Sequence, residues 1–176
     1  MLLLRELGNQ VYPYSKNDLK KGSLRSRQGI RVKFVSPVSD LEYVVVFSPN
    51  FEDYEKLLQN FDIPKSVTGN VKLIGTMVEC GFYARPLTGR YTGYSFDLQA
   101  VPDFSTVLST VTSITRDFIA IRKPSYFTFS GENERNRQRV YKNVLVPQLA
   151  KITNYTYLGE VKKETQLYFV FMKNKG

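Results

Sequence analysis

Between Asp103 and Met172 the spacing of apolar residues switches from helical to extended, back to helical, and to extended again. Few architectures accommodate that order. Phe104, Val107, Leu108, Val111, Ile114, Phe118 and Ile121 fall along one face of a helix. Asp103 stands at the N-cap position and Pro124 just past the end, so a helix is expected over 103–121. This segment is rich in Ser and Thr, which are poor helix formers, so packing has to hold it. Tyr126 to Phe129 reads as a short central strand, and the helical period returns from Glu132 to about 151, with Pro147 as a kink or a break. Tyr155 to Val161 and Leu167 to Met172 then close as a hairpin.

The first half supplies the remaining strands. Ile30 to Val35 and Leu41 to Ser48 are joined by the turn Ser36-Pro37-Val38-Ser39-Asp40. Consecutive Val44, Val45 and Val46 mark the second as buried on both faces. Asn50 is placed to cap a helix carrying Phe51, Tyr54, Leu57, Leu58 and Phe61 on one side, which Pro64 ends. Val71 to Tyr83 is β-like but interrupted by Gly75 and Gly81; a loop over 86–93 and a strand over 94–100 follow. The expectation is an α+β fold in a single domain spanning 1–176, with a mixed, mostly antiparallel sheet flanked by helices. Residues 1–29 are expected as an N-terminal helix and a basic arm, and 30–176 as the core.

A chain of 176 residues with 42% hydrophobic content can bury a core, and with no Trp its large core side chains are Phe and Tyr, 12 of each. One cysteine and no histidine exclude an internal disulfide, a Cys/His zinc site, and Ser-His-Asp or Cys-His catalysis. No metal and no cofactor are expected. Cys80 lies in an apolar strand-like stretch and reads as a buried, inert thiol. Glu79 beside it, with Tyr83 beyond, is the one acid–base constellation in reach of a catalytic reading, and both residues are of ordinary type at ordinary spacing. The run Tyr43 to Phe47 is too short to span a bilayer. The apolar start Met1 to Leu4 ends at Arg5-Glu6, short of the roughly 7–15 residues of a secretory core, so an amphipathic helix and cytosolic synthesis are expected.

Net charge is +9, with a pI near 9.6, which favours acidic partners. Lys16, Lys20, Lys21, Arg25 and Arg27 face only Asp18 in what reads as an exposed arm, continued by Arg31 and Lys33. Arg135, Arg139 and Lys142 recur at i, i+4 and i+7, a cationic stripe on the second helix opposite Val140, Tyr141 and Val144. Both groups read as binding surfaces, for a protein or for nucleic acid, against the plainer reading of a solvated face. Arg137 falls on the sheet side and reads as the partner of a carboxylate that pins the helix, with contact to a ligand anion as the alternative. No helix-turn-helix, RRM or KH pattern accompanies the charge.

Asp103, Val107, Ser109-Thr110-Val111, Phe129-Ser130-Gly131, Arg137 and Tyr141 together resemble a family of tailed-bacteriophage proteins of unassigned function. Leu4-Arg5-Glu6-Leu7 followed by Tyr12-Pro13-Tyr14 is similar to how those proteins begin. The resemblance implies a phage-encoded accessory or virion-associated protein that binds other phage or host proteins, in the host cytoplasm or the virion. It also implies structural roles for Asp103, Ser130, Arg137 and Tyr141. The second half is similar in layout to GNAT acyltransferases, which cradle acetyl-CoA on a glycine-containing loop at a helix N-terminus. Here that stretch is Leu98-Gln99-Ala100-Val101-Pro102-Asp103, with no glycine, a proline that removes a donor, and a carboxylate in place of phosphate. Three functions are therefore carried forward: non-enzymatic protein binding, nucleic-acid binding, and acetyl-CoA-dependent acyl transfer.

Overall fold

The computed structural model describes residues 10–24, 28–49, 77–88, 101–132, 135–152, 154–163 and 166–174. Their elements are α1 (Lys16–Lys21), β1 (Ile30–Ser36), β2 (Leu41–Pro49), β3 (Met77–Pro86), α2 (Phe104–Arg122), β4 (Tyr126–Glu132), α3 (Arg135–Val140), a π turn (Tyr141–Leu145), α4 (Val146–Leu149), β5 (Tyr155–Lys163) and β6 (Gln166–Lys173). The helices expected at the N-terminus and after Asn50, and the strand expected over 94–100, lie outside the described residues.

The strands form one mixed sheet in the order β1-β2-β3-β4-β6-β5. Every pairing is antiparallel except β3 with β4, which are joined through α2. This is the α+β architecture that the alternating periods predict. β1 alternates strictly: Ile30, Val32, Phe34 and Ser36 are buried, while Arg31, Lys33 and Val35 face out. In β2, Tyr43, Val45 and Phe47 join the main core and Val44 is buried on the opposite face. Gly29 precedes β1 at φ 63, and a Cβ there would collide with the Phe47 carbonyl, so this entry to the sheet requires glycine.

All the described helices that bury residues contribute to one core against one face of the sheet. Phe47 stacks on Phe118 of α2 at 3.9 Å, and Phe127 on Phe171 at 4.5 Å. The second buried cluster, on the other face, is made of strand residues alone among those described: Met77, Tyr126, Val161, Tyr168, Val170 and Met172. Thr128 points to that same face, with its hydroxyl buried and unpartnered.

Two expectations need correction here. Ile121 is exposed rather than part of the stripe, because it sits at the stripe's edge in the last turn and Ile119 takes the buried place. Within the stretch 15–27 expected as an exposed arm or loop, the described residues Lys16–Lys21 form a helix, with Leu19 wholly buried against α2. The Ser and Thr residues of α2 are accommodated by hydroxyls that bond one turn back, Thr112 to the Leu108 carbonyl and Thr115 to that of Val111, both at 2.8 Å. Pro147 acts as expected on the second helix. It has no N–H to give to the preceding turn, and the backbone widens into a π turn just before it, with the Val146 N–H reaching back to the Tyr141 carbonyl. No described helix is long and apolar enough to cross a membrane.

Candidate functional site

α2 has a polar flank on which the segment before α1 lies. The Tyr12 N–H donates to Thr110 Oγ1 at 2.9 Å, and its hydroxyl donates to the Asp103 carboxylate at 2.6 Å. Two residues on, the Tyr14 hydroxyl donates to Asp117 at 2.7 Å and meets Ser113 Oγ at 2.8 Å. Burial, with Asp117 adding to it, pushes the Tyr14 hydroxyl up to about 12. Asp103, Thr110, Ser113 and Asp117 recur at helical intervals, so one flank of the helix reads the whole segment.

Asp103 is the centre of this arrangement. Its side chain does not cap α2; the helix begins with the Val107 N–H on the Asp103 carbonyl at 3.0 Å. The carboxylate instead accepts hydrogen bonds from Ser36 Oγ, Ser39 Oγ and the Tyr12 hydroxyl, which tie the β1–β2 turn and the N-terminal segment to the head of α2. Burial alone would raise this carboxyl, but those three hydroxyls outweigh it and hold the group below the usual carboxylate range. The expected capping role is therefore corrected: three better donors compete for the oxygens. Around the hub, Ser39 N–H bonds Ser36 Oγ at 3.1 Å, and Leu87 N–H bonds the Asp40 carbonyl at 3.1 Å. The rings of Tyr12, Phe34 and Tyr43 stack behind it at 6.3 and 5.1 Å.

The expected basic surface divides into pieces. Lys16 pairs with Asp117 at 3.5 Å, and Lys20 and Lys21 are exposed at the end of α1. That end is held by Arg122 of α2, whose Nε donates to the Leu19 carbonyl at 3.0 Å and whose Nη2 donates to that of Gly22. Arg139 and Lys142 are exposed as expected, and Lys142 reaches Glu160 at 3.5 Å. Arg25 and Arg27, and the side chains of Ser130, Arg135 and Arg137, lie outside the described residues. Arg31 and Lys33 face out from β1, and Glu42 receives both Lys33 at 3.9 Å and Arg85 at 2.7 Å.

The acid–base constellation is split by the pleat. Cys80 is wholly buried on the helix-covered face, where desolvation, with Glu79 adding to it, pushes its thiol well above the ordinary value. Glu79 and Tyr83, at alternate positions, face the other side. β3 and β4 are paired from Met77 and Tyr126 to Cys80 and Phe129, and beyond that each continues beside its other neighbour. Where they part, Tyr141 is buried against Phe82 and Phe129, with ring centroids 6.0 and 6.1 Å away.

Sequence reasoning missed the partners of Asp103 and a second feature at the far end of α2. There, Arg116, Lys123, Lys151 and Lys173 line a half-open depression of about 710 Å³. No local window could signal it, since its residues come from α2, the turn after it, the turn before β5 and the end of β6. Among the described residues no group of His, Cys, Asp and Glu could hold a metal ion. No family model, curated protein or solved structure matches the chain.

Proposed function

We propose that this is a non-catalytic accessory protein that acts by binding another protein, and that it docks its partner at the corner formed by the β1–β2 turn and the head of α2. One observation carries the reading. Of the five large apolar residues that are exposed among those described, Val11, Val35 and Val38 stand next in sequence to Tyr12, Ser36 and Ser39, which bond Asp103. A fourth, Leu87, is bonded to the turn at Asp40, and Val38 is 62% exposed. Apolar groups gathered in this way mark protein-interaction surfaces, whereas scattered ones do not. The corner is also held in advance by the Asp103 hub and the Leu87–Asp40 bond, so little ordering is needed on docking.

The phage setting, the virion or accessory role and residence in the host cytoplasm or particle rest on the motif resemblance around Asp103–Tyr141. Acyl transfer is less well supported. An ionised Asp103 stands at the helix head where the acetyl-CoA pyrophosphate would bind, and Tyr141 packs at the divergence of the parallel strands.

The test combines Val38→Glu with Leu87→Glu. Tagged protein from infected cells should co-purify with a defined phage or host protein, and the double variant should lose it while its melting temperature moves by no more than about 2 °C. A partner retained by the double variant would remove the corner from the account. Saturable micromolar binding of acetyl-CoA by calorimetry would replace the reading with acyl transfer.

A further inference from the structure

We infer that the depression at the C-terminal end of α2 is a binding site for a phosphate-bearing ligand of nucleotide size. The site is distinct from the docking corner and does not depend on it. Arg116, Lys123, Lys151 and Lys173 line the depression and are exposed, as are Asn154 and Asn174. No Asp or Glu is among the described residues that line it, although the chain has 16 acidic residues. Four cations from separate segments around one concavity repel each other. A cleft lined by one sign of charge concentrates field on whatever anion enters it.

These cations are also available. None of the four forms an ion pair with a described residue, in contrast to Lys16, Lys33, Arg85 and Lys142. Arg116 gives one Nη2 donor to the Gln148 carbonyl at 3.2 Å and keeps the rest of its guanidinium fork. Asp117, the nearest acid in sequence, is occupied by Tyr14 and Lys16. The Asn174 Oδ1 accepts from Thr156 Oγ1 at 2.5 Å, which leaves the amide's two N–H donors to face a ligand.

A helix C-terminus attracts cations for its own sake, which accounts for Arg122 and part of the case of Lys123. It does not account for Lys151 or Lys173, which arrive from elsewhere in the fold. Lys123 itself sits at φ 48 and ψ 52, the left-handed position after a helix where glycine is the unstrained choice. The lysine is thus held on the rim at a conformational cost.

The floor indicates what the phosphates are attached to. Ile119, Ile152 and the ring of Tyr155 are apolar, and the Tyr155 hydroxyl is turned inward to the Pro124 carbonyl at 2.6 Å. A volume of about 710 Å³ lies within the usual range for small-ligand sites. An apolar floor under a cationic rim suits a flat or apolar body that carries adjacent phosphates. A mononucleotide and a short stretch of nucleic-acid backbone share that chemistry.

The test is calorimetric titration of the full chain with ATP, inorganic tripolyphosphate and a single-stranded DNA decamer at low salt. Lys151→Glu and Lys173→Glu should each weaken binding about tenfold or more, the loss of a charge-assisted contact. Arg139→Glu, an equal charge change on the α3 stripe, should leave it within about twofold. ATP binding with this pattern identifies a nucleotide as the source. Binding of the decamer alone with the same pattern identifies a nucleic-acid backbone, and its affinity then falls with a log–log salt slope of about 0.7 per phosphate engaged. No saturable binding by any probe, or equal losses from all three substitutions, overturns the site.

Discussion

The two ends of α2 use polar residues in opposite ways. At the head, one carboxylate gathers three hydroxyls from two other segments and is held ionised, and the residues beside those hydroxyls are exposed and apolar. At the tail, four cations surround an open depression with no acid to answer them among the described residues. The head spends its polar groups on the fold and offers apolar surface outside. The tail leaves its four cations without an ion pair among the described residues. Charge density along the sequence does not distinguish these cases, because what matters is whether the fold supplies a counter-charge.

The largest expected effect is at the head. Asp103→Ala leaves the Ser36, Ser39 and Tyr12 hydroxyls without their acceptor and should cost about 2–3 kcal/mol in denaturant unfolding, less than three separate charged bonds because the site is only half-buried. The folded carboxyl titrates below its unfolded value of about 3.9, so its contribution is complete above that pH and is lost as pH falls through the lower folded value. Acid unfolding of Asp103→Asn should therefore be flatter than wild type below about pH 4. A parallel pair of curves would show that the carboxylate is not ionised by the fold.

Next comes the clamp between the last turn of α2 and the end of α1. Arg122→Ala removes the donors to the Leu19 and Gly22 carbonyls and should cost about 1–2 kcal/mol, with faster amide exchange in α1 as the specific readout. Thr128→Val works in the other direction. It deletes a buried hydroxyl without a partner from a central strand and should raise stability by about 1 kcal/mol. Lys123→Gly relieves the left-handed backbone and should stabilise by about 0.5–1 kcal/mol while weakening phosphate binding. A stabilised variant with a poorer site would be the counterpart of Asp103→Ala. The smallest effect is Arg139→Ala on the solvated face of α3, within about 0.5 kcal/mol of wild type.

Much of the framework is legible because one periodicity dominates each segment. β1, β2, α2, β4 and the β5–β6 hairpin fall where apolar spacing and the breakers Pro37, Pro124 and Asp40 put them. α1 is not legible, since Leu19 is its one buried residue and the lysines around it read as an arm. The role of Asp103 is hidden for a different reason. Its position before a helix predicts a local cap, and only the tertiary approach of Ser36, Ser39 and Tyr12 diverts the side chain. Tyr141 was legible as a packed residue, because its register with Val144 places it toward the sheet. The depression at the tail was not legible at all: Arg116, Lys123, Lys151 and Lys173 meet only because the end of β6 returns beside the start of β5 and the turn that follows α2.

The contrast between the ends is tested most directly by amide chemical-shift mapping of the isotope-labelled chain during titration with inorganic tripolyphosphate. The account predicts perturbations confined to residues 116–123, 151–155 and 173–174, with Tyr12, Ser36, Ser39 and Asp103 unmoved. Shifts centred instead on Lys16–Lys21 and on Arg139 and Lys142, or on the head of α2, would contradict it.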